Sequence, residues 1–259
     1  MRVKISLVAE KPRILPLNYN YNMASMLYRR IEKGDSMLSL YLHQPHKIKF
    51  FTFSKLMAEK RRIEGKKIRM EGNVSFFFST PKKDIVIALV NGLLEKPEIE
   101  IAKANFVLSS IEVMREEKIK GEEIFVTLSP ISVTTVKGKN GYRKIVDLYP
   151  DEEKFYENIR KNLIKKYRTL YEKEPSNDEL KIEVIKAKPK RIKIKNTFHR
   201  CTEMVFRARG SVELLNIGYQ AGFGERNSMG FGMVKVANGR GRRKDEGGRG
   251  EDGDGGNGK

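Results

Sequence analysis

The stretch Gly218–Val236, GYQAGFGERNSMGFGMVKV, limits the fold more than any other part of the chain. Gly218, Gly222, Gly224, Gly230 and Gly232 are interleaved there with Phe223, Phe231, Arg226, Asn227, Ser228 and Lys235. Glycine reaches positive φ without strain and lets a second backbone come close, so the segment predicts a tight loop. Before it, Leu214, Leu215, Ile217 and Ala221 predict a short helix; after it, GFGMVKV predicts a strand. Successive N–H groups in such a loop can form a concave nest for anionic oxygens. The plainer alternative is a glycine-rich turn that only permits tight packing. Neither nucleotide fingerprint fits: position 227 is Asn where G-x-G-x-x-G needs Gly, and Phe231 stands where a P-loop places its lysine. The spacing therefore argues against a mononucleotide pocket.

The charge balance points to a polyanionic partner. The chain has 52 Lys+Arg against 33 Asp+Glu, a formal +19, and basic surfaces concentrate phosphates and speed their capture. Nucleic acid is the expected partner; a generally basic protein is the alternative. The single cysteine, Cys201, excludes an intramolecular disulfide and a cysteine-based metal cluster. His43, His46 and His199 lack a helix-spaced carboxylate cluster, so neither a metal nor another cofactor is expected. No run of about 18 apolar residues exists, and MRVKISLVAEKPR lacks a signal-peptide core. That pattern predicts a cytoplasmic protein with no membrane partner.

Along the chain, Val3, Ile5 and Leu7 alternate with Arg2, Lys4 and Ser6, which predicts a half-buried strand over 2–9. Met23, Met26, Leu27 and Ile31 form a helical stripe from Asn20 to Lys33 that ends at Gly34. Tyr21 and Tyr28, seven apart, share a flank of that helix, where a phenol either covers the core's edge or presents its hydroxyl to a cleft. SMLSLYLH runs into His43. A strand is predicted from Ile48 and a second at VSFFFS. Thr80-Pro81 predicts an N-cap and first helical position, with Ile85, Ala88, Leu89 and Leu93 on the helix that follows. Residues 104–114 complete the order β-α-β-β-α-β, the ferredoxin-like arrangement.

After REEKIKGEE the order begins again. A strand EIFVTLSPISVTTV is broken at Pro130, and KGKNGYRKIVDLYP predicts a basic hairpin. A helix follows Asp151, packing Phe155, Ile159 and Leu163 and leaving Arg160, Lys161, Lys165, Lys166 and Arg168 solvated. Two more strands, a short helix and the closing strand complete a second copy, argued from element order alone. The expected fold is α+β, with two tandem ferredoxin-like domains, 1–118 and 119–237, and a disordered tail, 238–259, of glycine and charge.

Within KAKPKRIKIK, Lys188, Lys190, Arg191, Lys193 and Lys195 alternate with Ala187, Ile192 and Ile194. Such a strand can lay positive charge along a nucleic-acid backbone. A solubilising edge strand is the alternative, since edge lysines also block aggregation.

Gly222-Phe223-Gly224 and Gly230-Phe231-Gly232 together form G-φ-G-x₅-G-φ-G. A doubled ferredoxin-like chain ending this way resembles the RAMP superfamily of CRISPR-associated proteins. With LYLH, FFTFS, MAEKR, ALVNGLL, FVTLSPI and AKPKR, residues 1–236 resemble its archaeal repeat-processing endoribonucleases. The resemblance implies metal-independent cleavage of CRISPR precursor RNA by ribose 2′-OH attack, leaving a 2′,3′-cyclic phosphate and a 5′-OH. It implies a catalytic Tyr28, His43 and Lys49, with QPHKI placing His46 and Lys47 nearby as substitutes. The cationic strand and the glycine loop give the candidate RNA contacts, Lys188, Lys190, Arg191, Lys193, Lys195, Gly222, Gly224, Arg226, Asn227, Ser228, Gly230 and Gly232, and the resemblance implies that product passes to CRISPR effector complexes. A homodimer is compatible with it, as is a member that binds repeat RNA without cutting. Histidine, with an unperturbed pKa near 6.5, suits proton transfer at neutral pH; lysine suits the phosphorane charge and tyrosine orientation.

Overall fold

The computed structural model describes residues 1–45, 47–138 and 143–237. The expectations for His46, the tip of the basic hairpin and the tail lie outside these residues.

The N-terminal half runs β1 (Arg2–Val8), β2 (Arg13–Pro16), α1 (Asn20–Gly34), α2 (Ser36–His43), β3 (Thr52–Phe53), β4 (Met57–Glu64), β5 (Lys67–Ser79), α3 (Lys83–Glu95), β6 (Glu98–Ile101) and β7 (Ala104–Val113). Its antiparallel sheet has the order β2-β5-β1-β7-β6, with β3 and β4 also paired to β5. Arg2 on the alternate face of β1 is buried, but the apolar face is realised, with Val3, Ile5 and Leu7 wholly buried. They pack with Phe76 and Phe78 of β5 against Met23, Leu27 and Ile31 of α1 and Leu89 and Leu93 of α3. Helices α1 and α3 cross at two glycines. A methyl group on Gly92 would collide with the Arg30 carbonyl, and one on Gly34 with that of Ala88. Gly92→Ala is therefore expected to destabilise the fold by about 1–3 kcal/mol through overpacking, although alanine is the better helix former. Urea titration of the variant checks this; unchanged stability would show that the helices separate at no cost.

The C-terminal half runs β8 (Glu122–Thr127), β9 (Thr134–Lys137), β10 (Lys144–Asp147), α4 (Glu153–Tyr171), β11 (Leu180–Ile194), β12 (Thr197–Gly210), α5 (Val212–Ala221) and β13 (Val234–Val236). Its main sheet has the order β11-β12-β8-β13, and β9 and β10 form a separate hairpin. A second core joins Phe125 and Phe206 to Phe155, Ile159 and Leu163 of α4 and Leu214, Leu215 and Ile217 of α5.

Several local expectations are corrected. Helix α3 starts at Lys83, not at Pro81: the Thr80 hydroxyl accepts from the Lys82 amide one turn earlier, so the Thr-Pro pair makes the bend before the helix. The strand predicted from Ile48 is confined to Thr52–Phe53, because Phe50 takes φ +52°. That kink sends Phe50 into the C-terminal core while Phe51 and Phe53 enter the N-terminal one. VSFFFS is only the end of β5, which begins at Lys67 and pairs with β4 through the Gly65 turn. Charged residues dominate β4, so no apolar alternation announced it. In β11 a register shift between Val184 and Lys186 breaks the apolar face: Ile185 and Ala187 are exposed, and Lys195 lies in the turn beyond the strand at φ +51°.

Phe50 is one stitch of a seam between the halves. The Thr52 hydroxyl donates to the Phe231 carbonyl at 2.9 Å, and the Lys55 amide to that of Leu128 at 3.1 Å. The Asn20 amide group reaches the Met229 and Gly230 carbonyls, both at 3.3 Å. Buried Arg2 of β1 donates to the Tyr219 carbonyl at 2.9 Å and lies over its ring. The glycine loop therefore sits between the two cores.

Candidate active site

Tyr28 lies two turns into α1, His43 is the last residue of α2, and Lys49 precedes the Phe50 kink. Asp35 both ends α1 and caps α2, its carboxylate accepting from the Leu38 amide at 2.9 Å, so the two helices meet in a sharp corner. That corner brings the His43 ring to 5.0 Å from the Tyr28 ring, centroid to centroid, at a tilt of 54°. Nδ1 of His43 donates to the Ser39 carbonyl at 2.8 Å, one helical turn back. With Nδ1 held by that carbonyl, Nε2 is the ring nitrogen left to exchange a proton with a substrate. His43 is exposed, so that nitrogen is open to a bound substrate.

Tyr28 is half-buried at the edge of the N-terminal core, its ring edge-on to Phe51 at 5.5 Å. Burial raises its pKa, and a hydrogen bond with the Ser228 side chain opposes part of that rise. A phenol held in this way stays protonated, which suits an orienting group better than a base. Lys49 Nζ donates to the carbonyl of Gln44, the residue after His43, at 2.6 Å, and burial lowers its pKa. Tyr28, His43 and Lys49 are thus connected in space, through a ring contact and a one-residue tether. Lys47 is turned instead toward Tyr41, with Nζ 5.8 Å from the ring centroid.

The glycine loop closes on the same place. A 3-10 turn, Asn227–Met229, is flanked by Arg226 at φ +55° and Gly230 at φ +80°. Gly232 takes φ +76°, and a methyl group there would strike the Phe223 carbonyl; at Gly222 it would strike the Asn227 amide. The Asn227 side chain bridges the two glycine turns, donating from Nδ2 to the Phe223 and Phe231 carbonyls. Its Oδ1 accepts from Lys166 Nζ at 2.7 Å, and the same ammonium donates to the Gly222 and Gly224 carbonyls at 2.7 and 2.9 Å. The hollow between the turns is thus filled by protein, and the amides of Phe223, Glu225, Gly230 and Gly232 donate within the chain. Of the loop's polar side chains, Ser228 reaches Tyr28, and Arg226 donates to the Ser132 hydroxyl at 3.1 Å.

Lys166 corrects the expectation of a solvated residue: it is 3% exposed on the packed face of α4. Its position three residues after Leu163 puts it on the buried stripe, a signal that its charge concealed. Burial lowers its pKa to about 7, against the field of the Glu225 carboxylate. Among the cationic residues of the long hairpin, Lys188, Arg191, Lys193 and Lys195 are exposed, whereas Lys190 pairs with Glu203 at 3.3 Å, which also pairs with Lys55. His199 lies beside the loop, its ring edge-on to Phe231 at 6.3 Å; burial, then Arg226, lowers its pKa.

A cavity of about 1380 Å³ lies elsewhere, between α1 and the β6–β7 edge, lined by Arg29, Arg30, Lys33, Lys96 and Glu98. No member of the Tyr28, His43 and Lys49 cluster borders it. A polymer lies across an open surface, so cavity size does not locate chemistry on it.

Two family descriptions match the chain: "CRISPR-associated protein Cas6, N-terminal" over residues 14–112 and "CRISPR associated protein Cas6, C-terminal" over residues 114–236. The chain is 43% identical over 242 residues to the CRISPR-associated endoribonuclease Cas6 of Pyrococcus furiosus, covering 91% of this chain and 90% of that protein. It is 37% identical over 236 residues to CRISPR-associated endoribonuclease Cas6 1 of Methanocaldococcus jannaschii, covering 90% and 92%. A solved structure described as "An RAMP protein binding different RNA substrates" superposes with a TM-score of 0.84 at 35% identity, covering 92% of this chain and all of that one. With its glycine loop wedged between two antiparallel sheets and this similarity along nearly its whole described length, the chain belongs to the CRISPR-associated Cas6 family.

Proposed function

We propose that this Cas6 chain is an endoribonuclease that binds CRISPR repeat RNA and cuts the precursor transcript without a metal ion. The reading is carried by the convergence of His43, Tyr28 and Lys49 beside the glycine loop. The ribose 2′ oxygen attacks the adjacent phosphorus as its proton passes to solvent water, and the bond to the 5′ oxygen breaks. His43 acts as the imidazolium, its Nδ1–H held by the Ser39 carbonyl, and delivers the Nε2 proton to the departing 5′ oxygen. Lys49 stabilises the charge on the phosphorane oxygens. Tyr28 stays protonated and orients the reacting groups. The products are a 2′,3′-cyclic phosphate and a 5′-OH, and the guide RNA passes to an effector complex in the cytoplasm.

Two ferredoxin-like domains, 1–118 and 119–237, supply the frame. Their main-sheet orders, β7-β1-β5-β4 and β13-β8-β12-β11, support that reading, since both place the first and third strands of a βαββαβ unit at the centre. Lys188, Arg191, Lys193 and Lys195 hold the RNA backbone, with Arg226 and Ser228 beside the cut. Gly222, Gly224, Asn227, Gly230 and Gly232 shape the loop that presents them, and Lys190 acts with Glu203.

Labelled repeat RNA incubated with the protein and EDTA tests this. Cleavage is expected to persist in EDTA and to vanish when the scissile nucleotide carries a 2′-deoxy sugar. A second reading, repeat binding without cutting, is favoured by the similarity to the RAMP protein that binds different RNA substrates. Tight binding with intact RNA would establish it and remove the first.

A further inference from the structure

Two large aromatic side chains lie outside the packed cores on the side of the molecule that carries the long hairpin. Tyr21 is 38% and Phe198 45% exposed. Beyond the shift at Val184/Lys186, strands β11 and β12 pair continuously to their tip, where Lys193 lies opposite Phe198 and Arg191 opposite Arg200. Residues directly across an antiparallel pair share a face, so Phe198 is set in a patch of cations. Arg191 stacks on it, with Cζ 3.9 Å from the ring centroid, and Lys193 Nζ lies at 5.6 Å. The opposite face of the tip is anchored: Ile192 and Cys201 pack on Phe231 of the glycine loop. The tip is also tied to the N-terminal half, since the Lys193 amide donates to Asn18 Oδ1 at 2.9 Å and Lys195 Nζ lies 5.2 Å from the Tyr21 ring. Among the described residues, Arg191, Lys193 and Lys195 make no salt bridge.

Tyr21 precedes Tyr28 by seven residues on α1. At 3.6 residues per turn the two share a flank, about 10 Å apart along the axis. These rings belong to neither core, and with the cations beside them they have the composition of a single-strand platform: a π-face for a base and positive charge for its phosphate. We propose that the hairpin tip and the first turn of α1 form a stacking subsite for unpaired nucleobases next to the scissile phosphodiester. Tyr21 and Phe198 supply the rings, and Arg191 and Lys195 the phosphate contacts. This deepens the RNA-processing reading and rests on it.

The test uses the whole protein and repeat RNA protected by a 2′-deoxy sugar at the scissile nucleotide, with Kd measured at each step of a salt series. Tyr21→Ala and Phe198→Ala are each expected to weaken binding about ten-fold, the loss of one base–aromatic stack. Tyr21→Phe, which keeps the ring, restores wild-type affinity. Neither alanine variant changes the slope of log Kd against log salt, because no charge is removed. Abasic substitution along the RNA should reveal one position whose loss weakens the wild type but adds nothing to Tyr21→Ala. Wild-type affinity in both alanine variants, an altered salt slope, or additive abasic losses at every position would overturn the subsite. Failure of the underlying reading has a different signature: the wild-type protein would then show no preference for repeat RNA over a scrambled sequence.

Discussion

His43→Ala is expected to slow cleavage of repeat RNA by about 10²–10⁴-fold, the usual contribution of a positioned acid–base group, while affinity for the RNA is retained. The side chain is exposed at the C-terminus of α2, so truncation opens no cavity in either core. What is lost is a ring aimed by the Ser39 carbonyl and flanked by Tyr28. Single-turnover cleavage with saturating enzyme separates rate from binding, and thermal unfolding confirms that the variant is folded. A variant that cuts at the parental rate would remove His43 from the mechanism and leave the cluster without a proton carrier.

Lys166→Met should act through a different link, from packing to site geometry. Methionine fits the volume but leaves the Gly222 and Gly224 carbonyls and Asn227 Oδ1 without their shared donor. Unsatisfied buried acceptors of this kind give an expected loss of about 3 kcal/mol of stability. Asn227 then loosens, and with it the neighbouring Ser228 contact to Tyr28, so cleavage slows as well. The same residue gives wild-type stability a pH dependence. Its folded pKa is about 7 against the ordinary 10.5, so between those values the unfolded chain binds one more proton than the folded chain. Stability contributed by this group therefore rises with pH across the window and is lowest below about pH 7. The methionine variant lacks that slope. Urea titrations of both proteins from pH 7 to 10 would measure it, and parallel curves would show that the ammonium stays charged throughout.

The elements that were legible share one property: their signal is local. The alternation of Val3, Ile5 and Leu7, the stripe of Met23, Leu27 and Ile31, and the glycines of the 218–236 loop each report a periodicity or a backbone requirement that needs no partner. Charged strands such as β4 gave no such signal, because pairing with β5 rather than a buried face holds them. The kink at Phe50 was equally silent, since a positive φ at a bulky residue is held by two cores that exist only after folding.

By itself, then, the chain of residues determined the α+β class, the basic character and the glycine loop, because composition and short-range periodicity survive without tertiary context. Its resemblance to a family supplied Tyr28, His43 and Lys49. Only the tertiary structure decided that the Asp35 corner brings Tyr28 against His43, that Lys166 is buried beneath the loop, and that the hairpin tip docks beside Tyr21. These are contacts between residues far apart in sequence. Packing alone fixes which of many equivalent lysines or tyrosines meets a partner.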